Sequence, residues 1–431
     1  MKRTLTSRRG FTLVELMVSL VAGLIVTIAV VGLARTATTT FYEQARLSTT
    51  EGSVRTAAER LRQDLSRASF MSTGNIKLAT ASNVSVPLGQ KISTTPTATT
   101  GSRDTTLNNL QGIRILVNGS PFALSADNGL SPDALELTGN FTTDDAYRGK
   151  IDGNVVTLNA ASDVAVARLI AGPDPDRAVR NAFQPGTVPP GAAPPFMARI
   201  VDPRGCLHFV LVSTVAGTAT GATITLASPT SGGSPVLTPA EDQGTCGANP
   251  QEEVTISPLQ KVRWYLAQSS TTLAQTNTDI EAPTAKFDLY RELVDAAGNS
   301  IPSPGGAQVV AEYAIDLKFG ISVDDPAIPA PNNLRIFNMD KDGVEIDKWN
   351  ALASTTQPGL PGSQRIRSVR FRIATRAALD DRKQDMKLVP TEPQYLSRYC
   401  TQPPLGACVK WARVRTITSE VTLMNQLGMG Y

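Results

Sequence analysis

Gly10-Phe11-Thr12-Leu13-Val14-Glu15 heads an apolar run that continues to Ala34. Four basic residues, Lys2, Arg3, Arg8 and Arg9, precede it. The run contains one charge, Glu15, and none from Leu16 to Ala34. At about 1.5 Å per residue, that length spans a hydrocarbon core of about 30 Å as one helix. A lone carboxylate inside such a helix costs roughly 2.5–3.5 kcal/mol on insertion scales, so Glu15 requires a reason. A secretory signal peptide has a shorter apolar region of about 7–15 residues ending at small residues. Gly32 and Ala34 would serve as such an end, but the run is longer and Glu15 interrupts its start. A plain membrane anchor explains neither the glycine–phenylalanine junction nor the acid.

Working outward, the basic residues before the helix predict a cytoplasmic N-terminus, with everything after Ala34 outside the inner membrane. The chain has 41 Lys+Arg against 38 Asp+Glu, and removing the leader's four basic residues leaves 37 against 38. A near-neutral remainder calls for no nucleic acid or anionic surface as partner. Beyond the apolar run, Val54, Ala58, Leu61, Leu65 and Ala68 follow spacings of four, three, four and three, which is one helical face. Glu51 with Arg55, and Arg60 with Asp64, read as ion pairs on the opposite, wet face. Gly74 and Asn75 supply a stop. The prediction is one helix over 11–71, transmembrane over 11–34, with a soft kink near Gly32.

The junction, the Thr12-Leu13-Val14-Glu15 continuation and the basic leader together resemble the class III signal of type IV prepilins. The resemblance covers about the first 25 residues. It implies that a prepilin peptidase cuts after Gly10, removing 1–10, and methylates the amine of Phe11. It also implies that the retained helix enters a filament core. Glu15 then pairs with the terminal amine of a neighbouring subunit, each ion lowering the other's cost of burial. Snorkelling of Glu15 to the headgroups of its own helix is the alternative.

The remainder reads as β-rich, giving an α+β fold: a long N-terminal helix and a large pilin-like head with room for two lobes. Candidate strands are Gly112–Val117, Asn154–Leu158, Val164–Ile170, Cys206–Ser213, Lys261–Ala267, Lys286–Leu293, Glu312–Ile321 and Val369–Ala374, several bounded by turn signals. Ala79–Thr106, rich in Thr and Ser, reads as an extended loop. The Pro-rich stretch 171–197 reads as a linker or insertion between a first β-rich region, 72–170, and a second, 198–431.

Four cysteines, Cys206, Cys246, Cys400 and Cys408, allow three pairings. An oxidising compartment favours disulfides, and the local pairs Cys206–Cys246 and Cys400–Cys408 are preferred. Free thiols are the alternative, and no CxxC or nearby histidine suggests zinc. His208, the single histidine, lies in an apolar strand pattern and reads as structural. No GxSxG, HExxH, phosphate-loop or dinucleotide pattern occurs, so the expectation is a non-enzyme without cofactors. Asn338, Asp340 and Asp342 are spaced like the first half of a calcium loop, but Trp349 stands at the twelfth position. An ordinary acidic turn is preferred, and no metal is predicted. Arg365, Arg367, Arg370, Arg372 and Arg376 make a basic strand, read as half-buried with one solvated face.

The C-terminal half is similar to PilW-type minor pilins in Phe287–Glu292, Val309–Gly320 with Tyr313, Trp349, Val369–Thr375 with Arg376, and Val421–Asn425. Met424 stands where that family usually has arginine. The resemblance implies a minor pilin that primes filament assembly at or near the tip. Its partners would be other minor and major pilins, the peptidase, the inner-membrane assembly platform and a tip adhesin. A pseudopilin of a type II secretion system shares the N-terminal signal but is usually much shorter. A pilus-associated adhesin is the remaining alternative.

Overall fold

The structure, a computed structural model, describes residues 12–76, 107, 110–120, 130–186, 195–227, 237, 247–268, 286–301, 307–325, 327–328, 333–350, 362–378, 398–400 and 411–427. It divides into a unit ending at Gly52 and a unit running from Ser53 to Tyr431. Helix α1 (Leu13–Ser66) is continuous through Gly32.

In the second unit, the predicted face of α1 is buried. Val54, Ala57, Ala58, Leu61, Leu65 and Ala68 share one apolar cluster with residues from two sheets. The helix ends earlier than Gly74-Asn75 predicts. Ser69 and Met71 adopt left-handed backbone (φ 62° and 51°), which breaks the helical ladder. The Asn425 side-chain amide donates to the carbonyls of Ser66 (2.9 Å) and Ala68 (3.1 Å), satisfying groups that the helix end leaves without partners. A cap arriving from the far end of the chain leaves no local trace in the sequence.

Fifteen strands follow among the described residues: β1 (Ile113–Leu116), β2 (Ala134–Gly139), β3 (Tyr147–Asp152), β4 (Val155–Asn159), β5 (Phe196–Val201), β6 (Leu207–Thr218), β7 (Gly221–Leu226), β8 (Glu253–Gln268), β9 (Phe287–Val294), β10 (Gln308–Ala311), β11 (Ala314–Asp324), β12 (Leu334–Phe337), β13 (Ile366–Arg376), β14 (Arg398–Cys400) and β15 (Trp411–Thr422). All pairings are antiparallel. One sheet has the order β12-β11-β13-β15-β14. The other is built around the 16-residue β8. Its C-terminal half pairs with β2 and β9, with β1 and β10 outside them.

The N-terminal half of β8 closes a six-stranded barrel. Its pairings run β8–β3, β3–β4, β4–β7, β7–β6, β6–β5 and back from β5 to β8. Closure leaves these strands no free edge. Alternate residues fill the interior: Tyr147 and Ile151 from β3, Val156 and Leu158 from β4, Ala198 and Ile200 from β5, and Val254 and Ile256 from β8.

Two short helices contribute to this core and correct the sequence reading. Val164–Ile170, expected as a strand, contains α2 (Val164–Leu169). Asp163 accepts from the Ala165 N–H at 2.8 Å, an N-cap that outweighs the β-branched alternation of Val164 and Val166. Within the Pro-rich stretch lies α3 (Pro175–Phe183), with Val179, Ala182 and Phe183 buried. Asp174 caps it from the Arg177 N–H at 3.0 Å, and Pro175 takes the position where a missing N–H costs nothing. Gly217 on β6 lies against the Pro175 backbone, where a β-carbon would collide, and its N–H donates to Asp176 at 3.0 Å. Pro175–Phe183 is therefore a helix packed into the barrel core, and strands from both sides of it share that barrel. Ala79–Thr106 lies outside the described residues.

Among the described residues two further α-helices are α4 (Gly343–Asn350) and α5 (Met424–Leu427).

Candidate functional site

Thr12 precedes the first residue of α1, and Glu15 stands three residues further on. The Thr12 N–H and hydroxyl both donate to one Glu15 carboxylate oxygen, each at 3.0 Å, and the Glu15 N–H donates back to the Thr12 hydroxyl at 3.3 Å. This is a reciprocal capping box, satisfying donors that a helix start leaves exposed. Its signature, Thr-x-x-Glu before an apolar run, is present in the sequence and gives Glu15 a local role beside pairing or snorkelling.

Downstream of this cap, α1 presents its apolar side chains outward: Leu16, Val18, Leu24, Ile28 and Leu33 are all more than half exposed. Leu13–Tyr42 is long and apolar enough to cross a membrane. Its 30 residues extend about 45 Å, longer than a hydrocarbon core of about 30 Å. Thr36, Thr38 and Thr40 return their hydroxyls to the carbonyls of Gly32, Ala34 and Thr36 at 2.8–3.0 Å. These bonds satisfy the hydroxyls without a partner chain. Gly10 and Phe11, the expected cleavage and methylation residues, lie outside the described residues.

The prokaryotic N-terminal methylation motif matches residues 5–31. The match supports a type IV prepilin-like protein, a subunit of a pilus or pseudopilus, which associates with other pilins and with membrane assembly machinery. Neither the curated proteins nor the solved structures contain a match to the chain.

In the head, the structure redistributes several residues that the sequence placed on surfaces. Asp64, expected on a wet face beside Arg60, is buried. Its carboxylate accepts from Arg291 Nε at 2.7 Å, Arg291 Nη2 at 3.3 Å and Trp264 Nε1 at 2.9 Å. It thereby ties α1 to β8 and β9. The signal was present: Ala57, Leu61, Asp64 and Ala68 form one stripe at spacings of four, three and four.

The five arginines of the basic strand do not form a solvated face. Arg372 reaches Asp316 through Nε at 2.7 Å and grips both oxygens of Asp340 at 2.8 Å. Arg367 pairs with Asp324 at 3.0 Å, and Arg365 lies 3.9 Å from the same carboxylate. Arg370 faces Glu420 at 3.4 Å. Arg376 is buried, with its guanidinium over the Tyr313 ring at 5.0 Å and the Tyr399 ring at 5.5 Å.

The calcium-like loop is used internally. Asp340 is held by Arg372, while Asp342 accepts from the Asn338 N–H at 2.7 Å just before α4 begins. Among the described residues, no three His, Cys, Asp or Glu side chains cluster as a metal site requires.

His208 is buried, with Nε2 3.0 Å from Asp202 Oδ2. Asp202 also accepts from the N–H groups of Gly247 (2.7 Å), Cys206 (2.8 Å) and Arg204 (2.9 Å). One carboxylate thus organises the turn that carries Cys206. Cys206 and Cys400 are buried, and neither is a free thiol. Cys246 and Cys408 lie outside the described residues.

Burial acts to raise the Asp202 pKa, but the hydrogen bonds from His208, Gly247 and Cys206 outweigh it and hold the carboxyl below its ordinary 3.8. A lowered native value means that Asp202 contributes stability fully present above the ordinary value. That contribution is lost as pH falls through the lowered one. Asp202→Asn should therefore lose less stability than wild type as pH falls past the ordinary value of 3.8 and through the lowered native one, read in urea titrations. Parallel curves for the two proteins would contradict this role.

Phe287–Glu292, Val309–Gly320, Trp349, Val369–Thr375 and Val421–Asn425 converge. Leu289, Leu317, Phe319, Trp349, Val369, Phe371, Ile373 and Val421 belong to one apolar cluster with α1. Asn425 in the closing segment is the residue that caps the end of α1.

Proposed function

We propose that this chain is a PilW-type minor pilin: a non-enzymatic subunit that primes assembly of a type IV pilus and sits at or near its tip. The observation that carries the reading is the methylation motif leading directly into an outward-facing apolar helix with a single carboxylate, Glu15. In this reading the prepilin peptidase cuts after Gly10 and methylates Phe11. The head then faces the periplasm until assembly, with Cys206–Cys246 and Cys400–Cys408 formed in that oxidising space. The Glu15 carboxylate leaves its capping box to meet the Phe11 amine of a neighbour, each charge offsetting the other's desolvation. The size of the head and the convergence of the PilW-like segments on α1 favour the pilus over a secretion pseudopilus.

The test is N-terminal mass spectrometry of protein recovered from sheared filaments. Wild type should begin at methylated Phe11. Gly10→Val should keep its first ten residues and be missing from filaments. A normal mature N-terminus in that variant would sink the cleavage assignment.

A further inference from the structure

Most buried ions described above have a partner: Asp64 has Arg291, and Asp316 has Arg372. Half-buried Arg199 breaks this pattern, its enclosed Nε having no hydrogen-bond partner among the described residues. It lies on β5 between Ala198 and Ile200, whose side chains fill the barrel interior, so Arg199 projects from the outer wall. Directly across the ladder stands Ser257 of β8, and on the other side Phe209 of β6. Cross-strand partners project on the same face of a sheet. The flanking positions on that face are Met197 and Leu259, which pack with Ile76 in an apolar cluster.

Arg199 Nε and Ser257 Oγ are both enclosed, and neither has a hydrogen-bond partner among the described residues. Ser257 is fully buried. Burial alone lowers the Arg199 pKa, with no carboxylate acting on it. Glu253, the acid two residues before Thr255 on β8, lies 3.9 Å from Arg148 instead. An enclosed guanidinium Nε facing an enclosed hydroxyl across the ladder makes an incomplete polar site.

We propose that Arg199 and Ser257 form a carboxylate-binding site on the outer wall of the barrel. The planar guanidinium offers parallel N–H donors matched to the two oxygens of a carboxylate. The Ser257 hydroxyl adds a donor on the same face. The apolar surround strengthens the pairing by excluding water. The carboxylate comes either from a free small acid or from an acidic group of another polypeptide. This site does not rest on the pilus reading.

The experiment is thermal unfolding of the full chain in detergent micelles, comparing sodium acetate with sodium chloride at equal ionic strength. A free carboxylate entering the site should raise the wild-type Tm by roughly 1–3 °C at saturation. Arg199→Met should abolish the response, Ser257→Ala should reduce it, and Arg199→Lys should keep part of it. If a polypeptide carboxylate already occupies the site, acetate will leave wild type unchanged and Arg199→Met will lower Tm. Two outcomes overturn the site. One is an equal acetate response in wild type and Arg199→Met. The other is no response in either, with a Tm that Arg199→Met leaves unchanged or raises.

Discussion

Asp64→Ala should destabilise the head by about 3–5 kcal/mol, the usual cost of removing one partner from a buried ion pair. Arg291 would remain buried with its guanidinium uncompensated, and Trp264 Nε1 would lose its acceptor at 2.9 Å. Asp64→Asn should cost less, because an amide oxygen still accepts one of those bonds. Replacing both charges, as in Asp64→Leu with Arg291→Met, should recover much of the loss, since an apolar pair of similar volume often substitutes for a buried ion pair. Arg60→Ala should change stability by only about 0–1 kcal/mol, as for a residue without a buried partner. Urea unfolding of the full chain followed by tryptophan fluorescence measures all four. A loss under about 1 kcal/mol in Asp64→Ala would show that Arg291 finds another carboxylate.

Glu15→Ala should still be cut and inserted but should fall about tenfold or more in filament incorporation. Losing an ion pair worth 1.4 kcal/mol already corresponds to a factor of ten. The capping box complicates the interpretation, because the same substitution also removes a helix cap worth about 0.5–2 kcal/mol. Thr12→Ala separates the two effects. It removes the hydroxyl that exchanges hydrogen bonds with Glu15 and leaves the carboxylate in place. Incorporation of Thr12→Ala should stay within about threefold of wild type, because a cap alone contributes little to contacts between subunits. Equal loss in both variants would make the helix start, rather than the charge, the determinant. Immunoblots of sheared filaments against whole-cell fractions supply the measurement.

Periodicity explains what the sequence revealed. The buried stripe of α1 follows directly from its four–three spacing, and strands such as Val155–Asn159 and Ile366–Arg376 follow from apolar residues between turn signals. Barrel closure was not legible, because it depends on β8 pairing with β3 on one side and β5 on the other. Pro258 also hides the true length of β8. It has no N–H for a ladder, so the pattern reads as starting only at Lys261. Asp64 reads as exposed when its spacing to Arg60 is taken as an ion pair, although the four–three spacing also puts it on the buried stripe. The arginine strand is hidden for a related reason. Alternation shows which residues share a face, but not whether acids from β11, β15 and the loop before α4 cover it.

Strand β8 is common property: its first half is a stave of the barrel, and its second half is a rung between β2 and β9. Neither body can melt without stripping ladder bonds from the other. The barrel is therefore not a pendant module that denaturant would peel away first. From Ser53 onward, the two bodies should yield together or not at all.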